Sequence, residues 1–192
     1  MVRCAPASEG FVVNVRIIAG LYGGRTIQGS VTRRTHPMSE RIRNALFNML
    51  TGELEGADVL DAFAGSGALG LEALSRGAAS AVFIEKDRRA QKIIQNNIER
   101  LHADDTAKLI RSPVSSVIKT LDRQFDVIFV DPPYHDTQLS TVEKLFPLLK
   151  PNGLMVLSLP GKGERLIGAE VVVVDNRVYG NASLTFYRRV KW

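Results

Sequence analysis

The chain has very little cysteine and no long apolar stretch, and both absences restrict what it can be. Cys4 is the only cysteine among 192 residues, which excludes an internal disulfide and any cysteine-based metal site, so no metal is expected. No apolar run approaches the length of a membrane span, and the first residues lack the apolar core of a signal peptide. The composition, 45% hydrophobic, predicts one cytoplasmic domain with a sizeable core.

Basic charge is concentrated at the N-terminus. Residues 1–43 hold seven arginines and two glutamates, a net charge of +5, which equals the formal net charge of the whole chain. Every basic residue in that segment is arginine, whose planar guanidinium pairs with phosphate and stacks on bases. This segregation favours nucleic acid as a partner over a face that is merely solvated.

A glycine-rich turn lies between an apolar run and a helical pattern in the first half of the chain. Gly65, Gly67 and Gly70 match the spacing G-x-G-x-x-G, which allows a tight turn and brings backbone N–H groups close to a ligand. Glu85 follows Gly65 by 20 residues, where a carboxylate that binds ribose hydroxyls is expected. The pattern predicts a site for an adenosine-containing ligand.

The carboxylate of Asp61 favours one adenosine ligand over another. Asp61 lies four residues before Gly65, at the end of the preceding apolar run. A pyrophosphate, as in NAD, would be repelled by this charge, whereas the ammonium and sulfonium of S-adenosylmethionine would be attracted. We therefore expect S-adenosylmethionine as the cofactor.

Residues 131–134, Asp-Pro-Pro-Tyr, directly follow an apolar run with the pattern of a buried strand. The two prolines make this loop stiff, and their nitrogens carry no hydrogen. Carboxylate and carbonyl acceptors beside the Tyr134 ring suit a planar group with an amino substituent, such as a nucleobase edge. A rigid turn with a solvated aspartate is the alternative, and this stretch alone does not separate the two.

From Asp58 onwards strand and helix patterns alternate, which predicts a mostly parallel sheet with right-handed crossovers. An antiparallel pair at 171–174 and 184–187 closes it, and a helix is predicted at 139–149. Because ligands bind beyond the carboxyl ends of parallel strands, the residues at or just beyond these ends should converge: Gly65, Glu85, Ser112 and Asp131.

Before the sheet, the pattern predicts a β-hairpin around Gly23 and then a helix capped by Ser39. We divide the chain into a loose tail (1–14), a basic hairpin-and-helix extension (15–52) expected to contact nucleic acid, and a cofactor-binding domain (53–192).

These motifs resemble the class I S-adenosylmethionine-dependent methyltransferases that modify amino groups. More narrowly, the chain is similar to the bacterial family that methylates guanine N2 in small-subunit (16S) ribosomal RNA. The resemblance extends from about Val15 to Arg189 and rests on four segments together: residues 16–20, 37–48, 61–77 and 131–134. It implies an α/β fold, a Rossmann-like sheet with an antiparallel closing strand, in a monomer that acts on rRNA or the assembling 30S particle.

The resemblance also implies roles for particular residues. Those expected to hold the cofactor are Asp61, Phe63, Ala64, Gly65, Ser66, Gly67, Glu85, Lys86, Ser112 and Val114. Those expected to act in catalysis are Asp131, Pro132 and Tyr134. Those expected to contact RNA are Arg33, Arg34, His36, Arg41 and Arg43.

Two departures from the family pattern affect these roles. His36 stands where the family usually has arginine. After the third strand of the sheet the family often has a carboxylate for the adenine amine, whereas this chain has Ser112-Pro113. Because Pro113 carries no N–H, adenine recognition falls to the Ser112 hydroxyl or the Val114 N–H.

The implied reaction is direct methyl transfer to an exocyclic amine, whose hydrogens are held by Asp131 and the Pro132 carbonyl. Asp131 acts either as a general base or only as an acceptor, and the sequence leaves both open. Three other functions also fit parts of the pattern. They are a DNA adenine-N6 or cytosine-N4 methyltransferase, a glutamine-amide methyltransferase, and an RNA-binding module without turnover.

Overall fold

A computed structural model describes residues 13–29, 38–161 and 166–190, which form a seven-stranded sheet and a separate two-stranded hairpin. The strands are β1 Val13–Arg16, β2 Thr26–Gly29, β3 Asp58–Asp61, β4 Ser80–Glu85, β5 Ala107–Arg111, β6 Phe125–Val130, β7 Leu149–Pro160, β8 Val171–Tyr179 and β9 Ala182–Arg189. The helices are α1 Glu40–Met49, α2 Ala68–Ser75, α3 Arg88–Leu101, α4 Val114–Val117 and α5 Leu139–Glu143. None of the helices in these ranges is long and apolar enough to cross a membrane.

The large sheet has the order β5-β4-β3-β6-β7-β9-β8. Strands β3 to β7 are parallel to one another, whereas β9 runs antiparallel to both β7 and β8. The chain moves outward from β3 to β5 and then crosses to β6 on the other side of β3. This reversal of direction places a ligand crevice beyond the carboxyl ends of β3 and β6.

Both faces of the sheet are buried, because successive side chains along each strand enter opposite apolar clusters. In β3, Val59 belongs to the cluster with the hairpin, α1, α2 and α3, and Leu60 belongs to the cluster with α4 and α5. In β6, Phe129 belongs to the first of these clusters and Ile128 to the second. The strands that carry the site are therefore packed between two apolar layers.

The hairpin and α1 share the first apolar cluster with the sheet, through side chains such as Ile27 and Phe47. Buried polar contacts add to this packing. The fully buried Glu72 of α2 accepts hydrogen bonds from the N–H groups of Ile18 (2.7 Å) and Ala19 (3.2 Å). The segments before and after position 52 are thus packed around one core.

The predicted parallel sheet, antiparallel closing pair and N-terminal hairpin are confirmed. Ser39 also caps α1 as predicted, since its Oγ accepts from the N–H of Ile42 at 3.3 Å. The helix predicted at 139–149 begins at Leu139 as predicted, but its length is wrong: α5 ends at Glu143, a 3₁₀ turn spans Phe146–Leu148, and Leu149 begins β7. Pro147 explains the difference, because a proline beyond the first turn removes a helical hydrogen bond and clashes with the preceding turn.

Candidate active site

Three carboxylates lie at the carboxyl edge of the sheet, and two of them, Glu85 and Asp131, are among the residues predicted to converge there. Asp61 ends β3, Glu85 ends β4, and Asp131 directly follows β6. Since β3 lies between β4 and β6, the Asp61 side chain has one of the other two carboxylates on each side. Three carboxylates at one edge favour a cation bound there.

The first two glycines of the motif shape the turn between β3 and α2. Gly65 and Gly67 have φ values of +56° and +78°, the left-handed region in which side chains are strained. A Cβ added at Gly65 would meet nothing within 4 Å, so its backbone faces open space. At Gly70, in contrast, an added Cβ would lie 2.3 Å from the Phe83 ring. The third glycine therefore allows α2 to pack against β4.

Asp61 is the most unusual group of the site, because it is buried with one oxygen unpaired. Its side chain is 1% exposed, and Oδ2 accepts from the N–H of Gly70 at 3.0 Å. Oδ1 has no hydrogen-bond partner among the described residues. Burial raises the pKa of Asp61 to about 7; the Gly70 N–H opposes this, and the charges of Asp131 and Glu85 add to it. A cation donating to Oδ1 would satisfy this group.

Glu85 joins the glycine turn to the end of β4. Its Oε2 accepts from the N–H of Gly65 at 2.8 Å, and its Oε1 accepts from the N–H of Asp87 at 2.7 Å. Each carboxylate oxygen has a second lone pair, so both remain able to accept from a ribose hydroxyl. The predicted ribose contact therefore stays compatible with this geometry.

The loop at 131–134 is held against β7. Val130 is paired with Leu157 in the β6–β7 register, which places Asp131 beside Ser158 of β7. Burial raises the pKa of Asp131 to about 6, and the Ser158 hydroxyl opposes the shift. Tyr134 is 41% exposed, and burial followed by the Asp131 charge raises the pKa of its phenol. An acceptor and an accessible ring thus stand together at the edge.

Sequence reasoning missed Ser158, which is 3% exposed and contacts the loop. The apolar run of β7 contains this single hydroxyl near its carboxyl end, and that position was the available signal.

The remaining predicted cofactor residues lie around the same edge. Phe63 is partly exposed beside the turn, Lys86 is exposed after β4, and Ser112 lies beyond β5. Val114 begins α4 with its side chain buried. Their contacts with the cofactor stay predictions.

The arginines predicted to contact RNA do not share one environment. Arg33, Arg34 and His36 lie outside the described residues. Arg41 is exposed on α1, as a phosphate contact requires.

Arg43 does not fit the predicted phosphate contact, because the structure places it inside the protein. Its side chain is 3% exposed, and Nη2 donates to the carbonyl of Arg16 at 2.6 Å. Burial lowers the pKa of its guanidinium, and the charges of Glu72 and then Glu40 oppose this. The inward face of α1 is formed by Arg43 together with Leu46 and Phe47, so this arginine ties α1 to the hairpin instead of facing solvent.

This fold and site define a class I S-adenosylmethionine-dependent methyltransferase. A family model described as conserved hypothetical protein 95 matches residues 15–188, and the chain belongs to that family. It is 38% identical over 139 residues to ribosomal RNA small subunit methyltransferase D of Escherichia coli, covering 72% of this chain and 68% of that protein. The corresponding protein of Haemophilus influenzae is 36% identical over 150 residues, covering 73% and 76%. The solved structure of yhhF from Escherichia coli matches with a TM-score of 0.83 at 33% identity, over 94% of this chain and 100% of that one.

Proposed function

We propose that the protein transfers the methyl group of S-adenosylmethionine to the exocyclic N2 amine of a guanine in small-subunit ribosomal RNA. The observation that carries this proposal is the position of the acceptor loop at 131–134, which follows β6 directly beside the glycine turn. The relatives named ribosomal RNA small subunit methyltransferase D support ribosomal RNA as the substrate.

The residues of the edge fit this cofactor. The unpaired Oδ1 of Asp61 suits an ammonium group, and the open backbone at Gly65 admits a ligand close to the turn. Glu85 would accept from the ribose hydroxyls, and Ser112 or the Val114 N–H would contact adenine. When bound, the cofactor supplies an electrophilic methyl group on a positively charged sulfur.

The loop at 131–134 prepares the amine to accept that methyl. The lone pair of an exocyclic amine is conjugated with the base ring, which makes the nitrogen a weak nucleophile. Asp131 and the Pro132 carbonyl would accept its hydrogens and stabilise the positive charge that grows on nitrogen. Tyr134 would stack on the base and hold it in line. A paired guanine would first have to leave its helix to reach this loop.

RNA affinity would come from the basic extension, residues 15–52. Exposed Arg41, together with Arg33, Arg34 and His36 earlier in the sequence, would supply the phosphate contacts. Arg43 is assigned a structural role, since its guanidinium is buried.

The function can be tested with labelled S-adenosylmethionine. The protein would be incubated with 30S subunits, free small-subunit rRNA or DNA, and the products digested to nucleosides. Label in N2-methylguanosine is the expected result. Label in methylated adenine or cytosine of DNA would identify a DNA methyltransferase, and label on protein glutamine would identify an amide methyltransferase.

Affinity for S-adenosylhomocysteine, the demethylated product, is expected to fall by roughly tenfold between pH 8 and pH 6. The pKa of Asp61 is raised to about 7, so its carboxyl is mostly protonated at pH 6 and loses its attraction for the ligand's ammonium. Binding near pH 7 should therefore release protons. Calorimetry in buffers of different ionisation enthalpy measures both effects.

The matched variant for this measurement is Asp61→Asn, which keeps an acceptor for the Gly70 N–H but cannot titrate. It should bind more weakly at pH 8 and show little pH dependence. If Asp61→Asn keeps the full pH dependence of binding, Asp61 does not contact the cofactor.

Replacing Arg33, Arg34 and Arg41 with glutamine is expected to weaken RNA binding and flatten its dependence on salt. If all three contact phosphates, the slope of log affinity against log salt should shrink by roughly two units. Filter binding at several salt concentrations measures the slope, and affinity for S-adenosylhomocysteine should stay unchanged.

Two variants serve as controls for this experiment. Lys119→Gln combined with Lys144→Gln removes exposed positive charge on the opposite face of the sheet and should leave the slope unchanged. Arg43→Gln should lower the free energy of unfolding by roughly 1–3 kcal/mol, because a buried hydrogen bond is lost. It should leave the slope of log RNA affinity against log salt unchanged. An unchanged slope in the triple variant would leave RNA binding by the extension without support.

A further inference from the structure

A single buried side chain, that of Asn97, connects the hairpin to the glycine turn. Asn97 lies in the middle of α3 and is 1% exposed. Its Nδ2 donates to the carbonyl of Gln28 at 2.8 Å and to the carbonyl of Ser66 at 2.9 Å. Its Oδ1 accepts from the N–H of Gln28 at 2.8 Å.

These bonds use both N–H groups and the oxygen of the amide. Ser66 lies between the two left-handed glycines of the turn, so its carbonyl belongs to the backbone that meets the cofactor. Gln28 belongs to β2 of the hairpin, within the extension proposed to contact RNA. Because the site is buried, moving either segment alone would leave amide groups without partners or water.

A second connection joins the same two parts. Helix α2 begins at the glycine turn, with Gly67 as its N-cap, and the loop of the hairpin is bonded to the other end of that helix. There the Ser75 Oγ accepts from the N–H of Tyr22 at 2.9 Å, and the Ser75 carbonyl accepts from the N–H of Leu21 at 2.7 Å. The hairpin is therefore held to both helices that border the cofactor turn.

We propose that Asn97 is a positioning residue that couples RNA binding on the extension to cofactor binding at the glycine turn. An RNA that restrains the hairpin would also restrain the Ser66 carbonyl through Asn97, and a cofactor that restrains the turn would restrain Gln28. Each ligand would then raise the affinity for the other by the same factor. This inference rests on the proposed function, because it requires that the extension bind RNA.

The experiment measures S-adenosylhomocysteine affinity by calorimetry with and without saturating small-subunit rRNA. In the wild type, RNA is expected to tighten this affinity by about fivefold or more. In Asn97→Ala this coupling factor, the ratio of the S-adenosylhomocysteine affinities with and without RNA, is expected to fall to about one. Affinity for RNA alone should change little in that variant, since its arginines remain.

Asn96→Ala is the matched control, because Asn96 is the exposed neighbour of Asn97 on the same helix. It should keep the wild-type coupling factor. If Asn97 has a purely structural role, Asn97→Ala would bind both ligands more weakly and keep the wild-type coupling factor. That result would overturn the inference.

A measurement on the wild type covers the case in which Asn97→Ala does not fold. S-adenosylhomocysteine is expected to slow hydrogen–deuterium exchange in Thr26–Gly29, where the Gln28 amide donates to Asn97, with no RNA present. Unchanged exchange there would contradict the coupling. If RNA and S-adenosylhomocysteine both bind without affecting each other, the inference alone fails. If the protein binds no RNA, the proposed substrate fails and the inference fails with it.

Discussion

Asp131→Ala is expected to lower the rate of methyl transfer by roughly a hundredfold to a thousandfold, the cost of removing one group that stabilises developing charge. The variant should still fold, because Asp131 lies in a loop beyond β6 and outside the apolar clusters. RNA affinity should change little, since phosphate contacts dominate it. Single-turnover kinetics with labelled S-adenosylmethionine measures the chemical step separately from binding.

Asp131→Asn separates the two roles that remain open for this carboxylate. Asparagine keeps an oxygen that accepts from the amine but cannot take up a proton. A rate much closer to the wild type than that of Asp131→Ala would indicate an acceptor, and equal losses would indicate a general base or a need for the negative charge. If Asp131 is a general base, the wild-type rate should also rise with pH through about 6, because its carboxyl must be ionised to take up a proton.

Asp136→Asn provides a control within the same loop region. Asp136 is exposed, and its Oδ2 accepts from Gln138 Nε2 at 2.9 Å. This variant makes the same chemical change five residues away and should methylate at nearly the wild-type rate. Full activity in Asp131→Ala would make the loop structural and refute the proposed mechanism.

Gly65→Val is expected to abolish binding of S-adenosylmethionine and S-adenosylhomocysteine. The backbone at Gly65 is left-handed with φ of +56°, and the space over its Cα is open to the ligand. A valine there would place a branched side chain where the cofactor is proposed to meet the backbone, and would also strain the turn. Calorimetry measures the loss, and circular dichroism confirms that the protein remains folded.

Gly52→Val controls for the strain itself. Gly52 has φ of +85° and likewise no atom within 4 Å of an added Cβ, but it lies in the turn after α1. It should lose a similar amount of stability and keep cofactor affinity. Equal loss of cofactor binding in both variants would mean that backbone strain causes the loss and that the ligand does not contact Gly65.

Tight binding of NAD by the wild type would contradict the assignment of the cofactor.

Elements whose pattern is local could be predicted from the sequence. The apolar runs that became β3, β4 and β6 are continuous, and each is followed by glycine, carboxylate or proline, so the strands and the residues at their ends were evident. Because carboxyl ends of parallel strands meet at one edge, the convergence of Glu85 and Asp131 followed from the order of elements. The concentration of net positive charge in residues 1–43 likewise distinguished the N-terminal segment from the rest of the chain.

Only the tertiary structure decided which polar side chains are buried. Arg43, Asn97 and Ser158 have the sequence surroundings of ordinary exposed or strand residues, yet all three are at most 3% exposed and lie between elements that are distant in sequence. Helical periodicity places Arg43 at the border of the apolar stripe of α1, and the packing of the hairpin carbonyl at Arg16 draws it inward. Local pattern determines where strands and helices form and which residues stand at their ends. The burial of a polar group depends instead on partners that only the folded chain brings within hydrogen-bonding distance.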